Sequence, residues 1–392
     1  MFRGITRTVW ILSLVSLLND AASELLIPVM PIYLKSIGFS VVLIGVLEGL
    51  AEATAGLSKG YFGQQSDRRG TRIPFIRTGY LFSALSRPML AIWAAPWWIF
   101  LARTLDRLGK GVRTAARDAL LGSESTPGTR GAVFGLHRSM DTIGAVIGPA
   151  MALWYLSLHP GDYKRMFLIA LVPGLLAFAC THLLGERTMA PRPNAPRQGF
   201  FRFLGHWRVA PKAYRRLAAG LLVFSLVNSA DAFLLLRAKS TGLSDTGVIG
   251  MYIFFNAVYA ATAFPMGRIA DRVGLKRMLL FGLSAFALVY FGMMREAGLG
   301  YYVVLFVLYG LYGAATDGIS KAWLATLAEP HETATALGLY TGLQSICALI
   351  ASSMAGVLWY CFGPAAAFGT TGLVTLIVVV YLWLMAPEPN AR

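Results

Sequence analysis

Apolar runs of about 18 residues or more recur along the whole chain, separated by short polar stretches. A helix of that length crosses the hydrocarbon layer of a bilayer. Twelve runs can be drawn, at roughly 8–35, 41–63, 74–94, 97–120, 131–156, 166–184, 215–238, 246–266, 277–295, 300–326, 333–358 and 363–386. Several contain ionisable residues, so apolarity alone understates them. One segment breaks the rhythm. Residues 186–217, ERTMAPRPNAPRQGFFRFLGHWRVAPKAYRRL, are rich in Pro and Arg and hold no long apolar run. They read as a cytoplasmic linker over 186–214, with a short interfacial helix near Phe200–Trp207. The pattern predicts an all-α membrane protein with a six-helix bundle on each side of the linker, at 1–185 and 215–392.

Composition sharpens this picture. The chain is 56% hydrophobic and only 14% charged, whereas soluble domains carry about a quarter charged residues. The N-terminal apolar segment is long and contains Asn19, Asp20 and Glu24, which is unlike a cleavable signal peptide. The three cysteines lie in predicted spans without the spacing of a metal cage or a disulfide framework. A net charge of +16 is placed in alternate loops: Arg3 and Arg7; Arg68, Arg69 and Arg72; Arg187 to Arg216; Arg268, Arg272, Lys276 and Arg277. Basic loops are retained in the cytoplasm, so both termini are expected inside, in a bacterial-type inner membrane. Anionic lipid headgroups complement that side, and nucleic acid is not expected as a partner. The fourteen methionines do not share a helix face, Met293 and Met294 pointing about 100° apart, so no metal site is expected. No nucleophile–base pair or sizeable soluble domain suggests an enzyme, and a monomer is expected.

The halves repeat each other. GQQSDRRGTR (63–72) follows the second span, and GRIADRVGLKR (267–277) follows the eighth, 204 positions later. FGLHRSMDTIGA (134–145) matches LGLYTGLQSICA (337–348) at an offset of 203, and LLNDAASELL (17–26) echoes LVNSADAFLL (226–235). These matches indicate a six-helix duplication. The loop pattern Gly63, Asp67, Arg68, Gly70 and Arg72, with its echo Gly267, Asp271, Arg272, Gly274, Lys276 and Arg277, resembles the loop signature of the major facilitator superfamily (MFS). Thr71 stands where that family usually has a basic residue. The resemblance implies a fold of twelve transmembrane helices in two pseudo-symmetric bundles. It also implies that Asp67, Arg72, Asp271 and Lys276 latch helix ends at a cytoplasmic gate, with glycines 63, 70, 267 and 274 in tight turns. Gly135, Gly144, Gly148 and Pro149 resemble the antiporter motif of the drug/proton exporters of this family, although its final glycine pair is Ala152-Leu153 here. Gly144 and Gly148 share a helix face and permit close backbone approach, and Pro149 should kink the span.

Between Arg103 and Asp118, seven of sixteen residues are ionisable. At 100° per residue, Arg103, Asp106, Arg107, Lys110, Arg113, Arg117 and Asp118 fall within an arc of about 140°. A charge at mid-membrane costs at least about 2.5 kcal/mol, so this stripe requires a polar cavity or paired partners. The family resemblance puts spans 1, 4, 7 and 10 around a central cavity, and Arg103, Gly109 and Gly111 resemble its fourth-span motif, with Arg107 replacing a glycine. Candidate partners are Asp20 and Glu24 in span 1, Glu48 and Glu52 in span 2, and His137, Arg138 and Asp141 in span 5. The second half is poorer in charge. It offers Asn228 and Asp231 in span 7, Asp317 and Lys321 one turn apart in span 10, and an aromatic lining of Tyr309, Tyr312, Trp323 and Tyr340. An ionic wall facing an aromatic wall suits an amphiphilic or anionic organic solute. The expectation is a secondary transporter that exports such a solute, drug-like or siderophore-like. It needs no cofactor, and protons are the coupling ion, carried by Asp20, Glu24, Glu52, His137 or Asp141. An importer or facilitator of organic anions on the same fold is the alternative, and a membrane receptor or enzyme a remote one.

Overall fold

The computed structural model describes residues 4–26, 29–30, 33–34, 37–39, 41–185, 200–240, 242 and 245–385, with the backbone alone over 41–53 and at 245, 246 and 249. Its elements are helices: α1 Arg7–Glu24, α2 Val41–Arg69, α3 Ile73–Ile92, α4 Pro96–Ser123, α5 Arg130–Leu158 and α6 Tyr163–Cys180 in the first half. After the linker come α7 Lys212–Ser225, α8 Ala232–Lys239, α9 Asp245–Val273, α10 Leu275–Met293, α11 Leu299–Leu327 and α12 Thr333–Met385. The last contains two spans, because the backbone turns at Gly363 with φ of 83°. Local chemistry sets several starts. Thr6 accepts a hydrogen bond from the Val9 amide, Asp162 accepts one from Arg165, and α4 opens on Pro96, whose missing amide proton is not needed in a first turn. Gly70 and Gly274 take φ of 64° and 99° in the two signature loops, a region where a side chain is strained.

The duplication is visible in packing. In the first half α4 lies against both α2 and α3; in the second, α11 lies against both α9 and α10. The chain forms two compact units: Met1–Glu124 with Met140–Val209 and Glu329–Gly342, and Ser125–Ser139 with Ala210–Ala328 and Leu343–Arg392. In the first unit, Leu26, Met30, Tyr33, Leu90, Ile99, Met166 and Phe167 form a continuous apolar core.

Among the described residues, five helices are long and apolar enough to cross a membrane: Arg130–Leu158, Tyr163–Leu183, Leu275–Met293, Leu299–Leu327 and Thr333–Met385. Leu176, Val357 and Trp383 stay exposed on such helices, as lipid-facing residues do. Trp93 and Trp97, in edge contact at the α3–α4 junction, suit a membrane–water interface. One feature differs from the sequence reading. Span 7 is broken: α7 stops at Ser225, Asn228–Ala230 are non-helical, and α8 starts at Ala232. Pro149 lies within α5, which stays helical on both sides of it.

Candidate functional site

The polar residues of the first unit converge from four helices. Ser16 on α1 donates to Asp141 Oδ1 on α5 at 2.5 Å, and Arg117 Nη1 on α4 donates to Ser16 Oγ at 3.2 Å. The same guanidinium holds Asp118, with Nη2 at 3.0 Å from Oδ1. Asp20 has Asp141, Glu24 and Arg113 as charged neighbours, and it accepts from Asn19 Nδ2 at 3.2 Å. Gly144 and Gly148 allow this meeting. A Cβ at Gly144 would lie 2.9 Å from the Ala21 amide nitrogen, and one at Gly148 2.6 Å from the Ala21 carbonyl oxygen, so α5 rides directly on the α1 backbone.

The stripe on α4 divides along its length. Arg113 is buried: its Nη1 donates to Ser83 Oγ at 2.7 Å, and its guanidinium lies 4.6 Å from the centre of the Tyr80 ring. Arg117 and Asp118 are buried with it, so this end of the stripe is enclosed in a paired network and does not open to water. Asp106 sits among four guanidinium groups, those of Arg107, Arg103, Arg87 and Arg113. Arg103 is buried, Arg107 is partly exposed, and Lys110 is exposed. His137 and Asp141 are both buried. The side chains of Glu48 and Glu52 lie outside the described residues.

Arg87 was not singled out in the sequence. It is 1% exposed, and Nη2 donates to the Asn19 carbonyl oxygen, Asn19 Oδ1 and Ser23 Oγ at 3.2, 3.0 and 3.0 Å. Gly174 leaves room for this head group, since a Cβ there would overlap Nη1. A lone arginine before Pro88 in an apolar span was the available signal.

The second unit has a smaller polar centre. Arg138 Nη2 pairs with Asp317 Oδ2 at 2.7 Å, and Tyr259 completes the triangle, donating to Asp317 Oδ2 at 2.6 Å and accepting from Arg138 Nε at 2.5 Å. Arg138 and Asp317 remain about one-third exposed, at 35% and 36%. Lys321, one turn from Asp317, is half-buried. At the break in span 7, Asn228 Nδ2 donates to the Tyr312 hydroxyl at 3.1 Å, and Tyr309 donates to Asp231 Oδ1 at 2.6 Å. Irregular backbone is tolerated at membrane depth where protein groups satisfy it. Here the Ser352 hydroxyl accepts from the Ala230 amide, and the Thr371 hydroxyl donates to the Val227 carbonyl.

Each signature loop places its aspartate on the first turn of a helix from the other half of the sequence. Asp67 accepts from the amides of Ala334 and Thr335, at 3.3 and 2.6 Å, and from the Thr335 hydroxyl at 2.8 Å. Asp271 accepts from the amides of Gly131 and Ala132, at 2.7 and 2.8 Å. Free amides and the helix dipole make a first turn a natural carboxylate site. Both aspartates lie beyond the apolar spans, and burial pushes each carboxyl up to about 6 while the amide donors pull it down. Arg72 donates to the Ala119 carbonyl and Ser123 hydroxyl at the end of α4, at 3.1 and 2.9 Å, and to the Pro330 carbonyl at 3.5 Å. Arg68 and Lys276 are partly exposed and Arg272 is exposed. Gly63 and Gly267 are helical rather than in turns. Their missing Cβ atoms leave space for the backbones of Ala334 and Gly131. Gly135 packs the same way, a Cβ there lying 2.6 Å from the Ala263 carbonyl oxygen.

Comparison with known proteins agrees with this geometry. An uncharacterized MFS-type transporter of Methanocaldococcus jannaschii is 30% identical over 363 residues, covering 91% of this chain and 89% of the relative. The multidrug resistance protein MdtH of Edwardsiella ictaluri is 23% identical, with 89% of this chain and 87% of the relative covered. Among solved structures, the human organic anion transporter MFSD10 superposes with a TM-score of 0.81 at 17% identity, over 96% of this chain and 99% of that one. The E. coli fucose:proton symporter FucP gives 0.78 at 13%, over 98% and 100%. The sequence profile of the Major Facilitator Superfamily matches residues 12–258 and again 217–392. Matched twice over nearly its whole length, the chain belongs to the major facilitator superfamily, and it is an all-α membrane transporter rather than an enzyme.

Proposed function

We propose that the chain exports a small amphiphilic or anionic organic solute in exchange for protons moving down their gradient, by alternating access. In this reading the bundles at 1–185 and 215–392 move about the 186–214 linker, and a monomer with both termini in the cytoplasm does the work. One arrangement supports proton coupling: Asp20 on α1 and Asp141 on α5 are neighbouring carboxyls close enough for their charges to act on each other. Two such groups repel when both are ionised, so a proton shared between them is favoured. Arg117, linked to Asp141 through Ser16, and Arg113, a charged neighbour of Asp20, are cations that could replace that proton when the helices shift. The pair lies where α5 rides on α1 through Gly144, so movement of α5 changes its surroundings. Export is supported by the multidrug resistance names of relatives at 23–26% identity. The Asp67 and Asp271 latches are the gate, and Arg138, Asp317, Asp231, Tyr309, Lys110 and Arg103 serve the solute and proton pathway.

Thermal-shift screening of organic anions and cations supplies a ligand, and proteoliposomes with an imposed pH gradient supply the test. Asp20→Asn with Asp141→Asn should abolish gradient-driven accumulation while leaving exchange at equal pH. Full gradient-driven accumulation by that double variant would refute proton coupling through this pair.

A second reading, uptake or facilitated passage of an organic anion, is favoured by the four guanidinium groups around a single Asp106 and by the exposed Lys110. The direction of accumulation in right-side-out vesicles separates the two.

A further inference from the structure

The linker ends in a helical turn, His206–Val209, that is fastened to the first unit. Phe203 is buried where a Cβ on Gly60 of α2 would meet its ring, and Phe200 stacks on Tyr61 with ring centres 5.0 Å apart. This fixes His206, which is 8% exposed, against the turn that precedes α12. His206 Nδ1 lies 3.4 Å from Glu332 Oε2, and His331 Nε2 lies 3.0 Å from Glu329 Oε2. The ligand atoms of Glu329, His331 and Glu332 all fall within 4.8 Å of one another. Glu329 also lies close enough to act electrostatically on His206.

Zinc bonded at about 2.0–2.1 Å to four tetrahedral N and O ligands spaces them about 3.3 Å apart. The 3.4 and 3.0 Å pairs already match two edges of such a tetrahedron. His331 and Glu329 are exposed, so their side chains have room to turn toward His206 and Glu332. The carboxylate pair offsets the charge of a divalent ion.

We propose that His206, Glu329, His331 and Glu332 form a divalent-cation site with the ligand set of zinc, joining the linker to the turn before α12. The ion would tie together three elements: the linker turn resting on α2, the turn 329–332, and the first amides of α12, which hold Asp67. It therefore strengthens the first latch from outside the membrane, and the inference stands whatever solute is carried.

The test uses the full chain, purified without a histidine tag. Co2+ is titrated by the visible absorption of its four-coordinate form, and Zn2+ by calorimetry. One equivalent per chain is expected, with affinity weakened about tenfold or more by His206→Ala and by His331→Ala. Glu329→Gln, at an exposed position, checks the loss in a variant that keeps the packing of Phe203. Failure to bind either ion overturns the proposal. So does binding that survives His206→Ala unchanged, which would reduce the site to a surface pair on the turn, and so does full affinity in Glu329→Gln.

Discussion

Asp67 and Asp271 occupy equivalent places in two copies of one loop, yet they are held differently. Asp271 accepts from two backbone amides, with Arg268 as its neighbouring charge. Asp67 accepts from two amides and a hydroxyl, with Arg72 beside it, and Arg72 itself spans from the end of α4 to Pro330. The duplication has kept the grip of a carboxylate on a helix first turn and let its surroundings diverge. The first contact is reinforced, and the second is the bare minimum. If the two contacts are the gate latches proposed above, they must release during transport, and unequal strength would give them an order of release.

The largest effect should come from removing the close approach that both latches share. A Cβ at Gly131 would fall 2.8 Å from Asp271 Oδ1 and overlap the Gly267 carbonyl. Gly131→Val therefore pushes α5 off Asp271, and its thermal midpoint should fall by an amount corresponding to about 1–3 kcal/mol. Gly63→Val, which would crowd Ala115 at 2.9 Å and the Ala334 carbonyl, should do the same at the first latch. A Gly131→Val chain that unfolds at the wild-type temperature contradicts the role given to this contact.

Next in size is removal of the carboxylates. Loss of a side chain that caps a helix costs about 0.5–2 kcal/mol. Asp67→Ala should expose the amides of 334 and 335 to hydrogen exchange, and Asp271→Ala those of 131 and 132, with the larger loss of protection at the first. Equal losses would show that the hydroxyl of Thr335 and the charge of Arg72 add nothing.

The same exchange measurement reads the pH dependence. Burial raises both carboxyls from the ordinary 3.8 to about 6, against the pull of their amide donors and of Arg72 or Arg268. A group with a raised value takes up a proton on latching. Latching is thus favoured most fully below about 4 and weakens as pH rises through about 6. Corrected for intrinsic exchange rates, protection of both first turns should grow as pH falls from 7 to 5. Asp67→Asn should remove that dependence at 334–335 and leave it at 131–132.

How far this was legible in the sequence follows from what each interaction uses. The carboxylates were visible, because the loop pattern occurs twice. Their partners were not, because backbone amides bind them, and Ala334, Gly131 and Ala132 carry no telling side chain. Gly63 and Gly267 looked like turn residues; they are helical and serve as contact surfaces. The segregation of charge on α4 could be computed from spacing alone. That Arg113 and Arg117 are enclosed could not, since Ser16, Tyr80 and Ser83 come from other helices. In span 7 the polar residues Asn228 and Asp231 were noted, but their consequence, a break in the helix, was missed. His206 and Glu332 meet only after the linker has folded back, and no local pattern announces that.

The smallest test is the sharpest for the comparison between the latches. Thr335→Val keeps the shape of the side chain and both amides, and removes one hydroxyl that donates to Asp67 Oδ2 at 2.8 Å. Asp67 keeps its amide donors, so no buried charge is stranded. The expected loss is that of one hydrogen bond in a half-buried setting, about 0.5–1 kcal/mol and less than loss of the whole carboxylate. Exchange protection at 334–335 should fall to the level of 131–132 and no further. If it falls below that level, the second latch draws on something beyond its two amides. If it does not move, the excess strength of the first latch resides in Arg72, and Arg72→Gln becomes the variant that levels them.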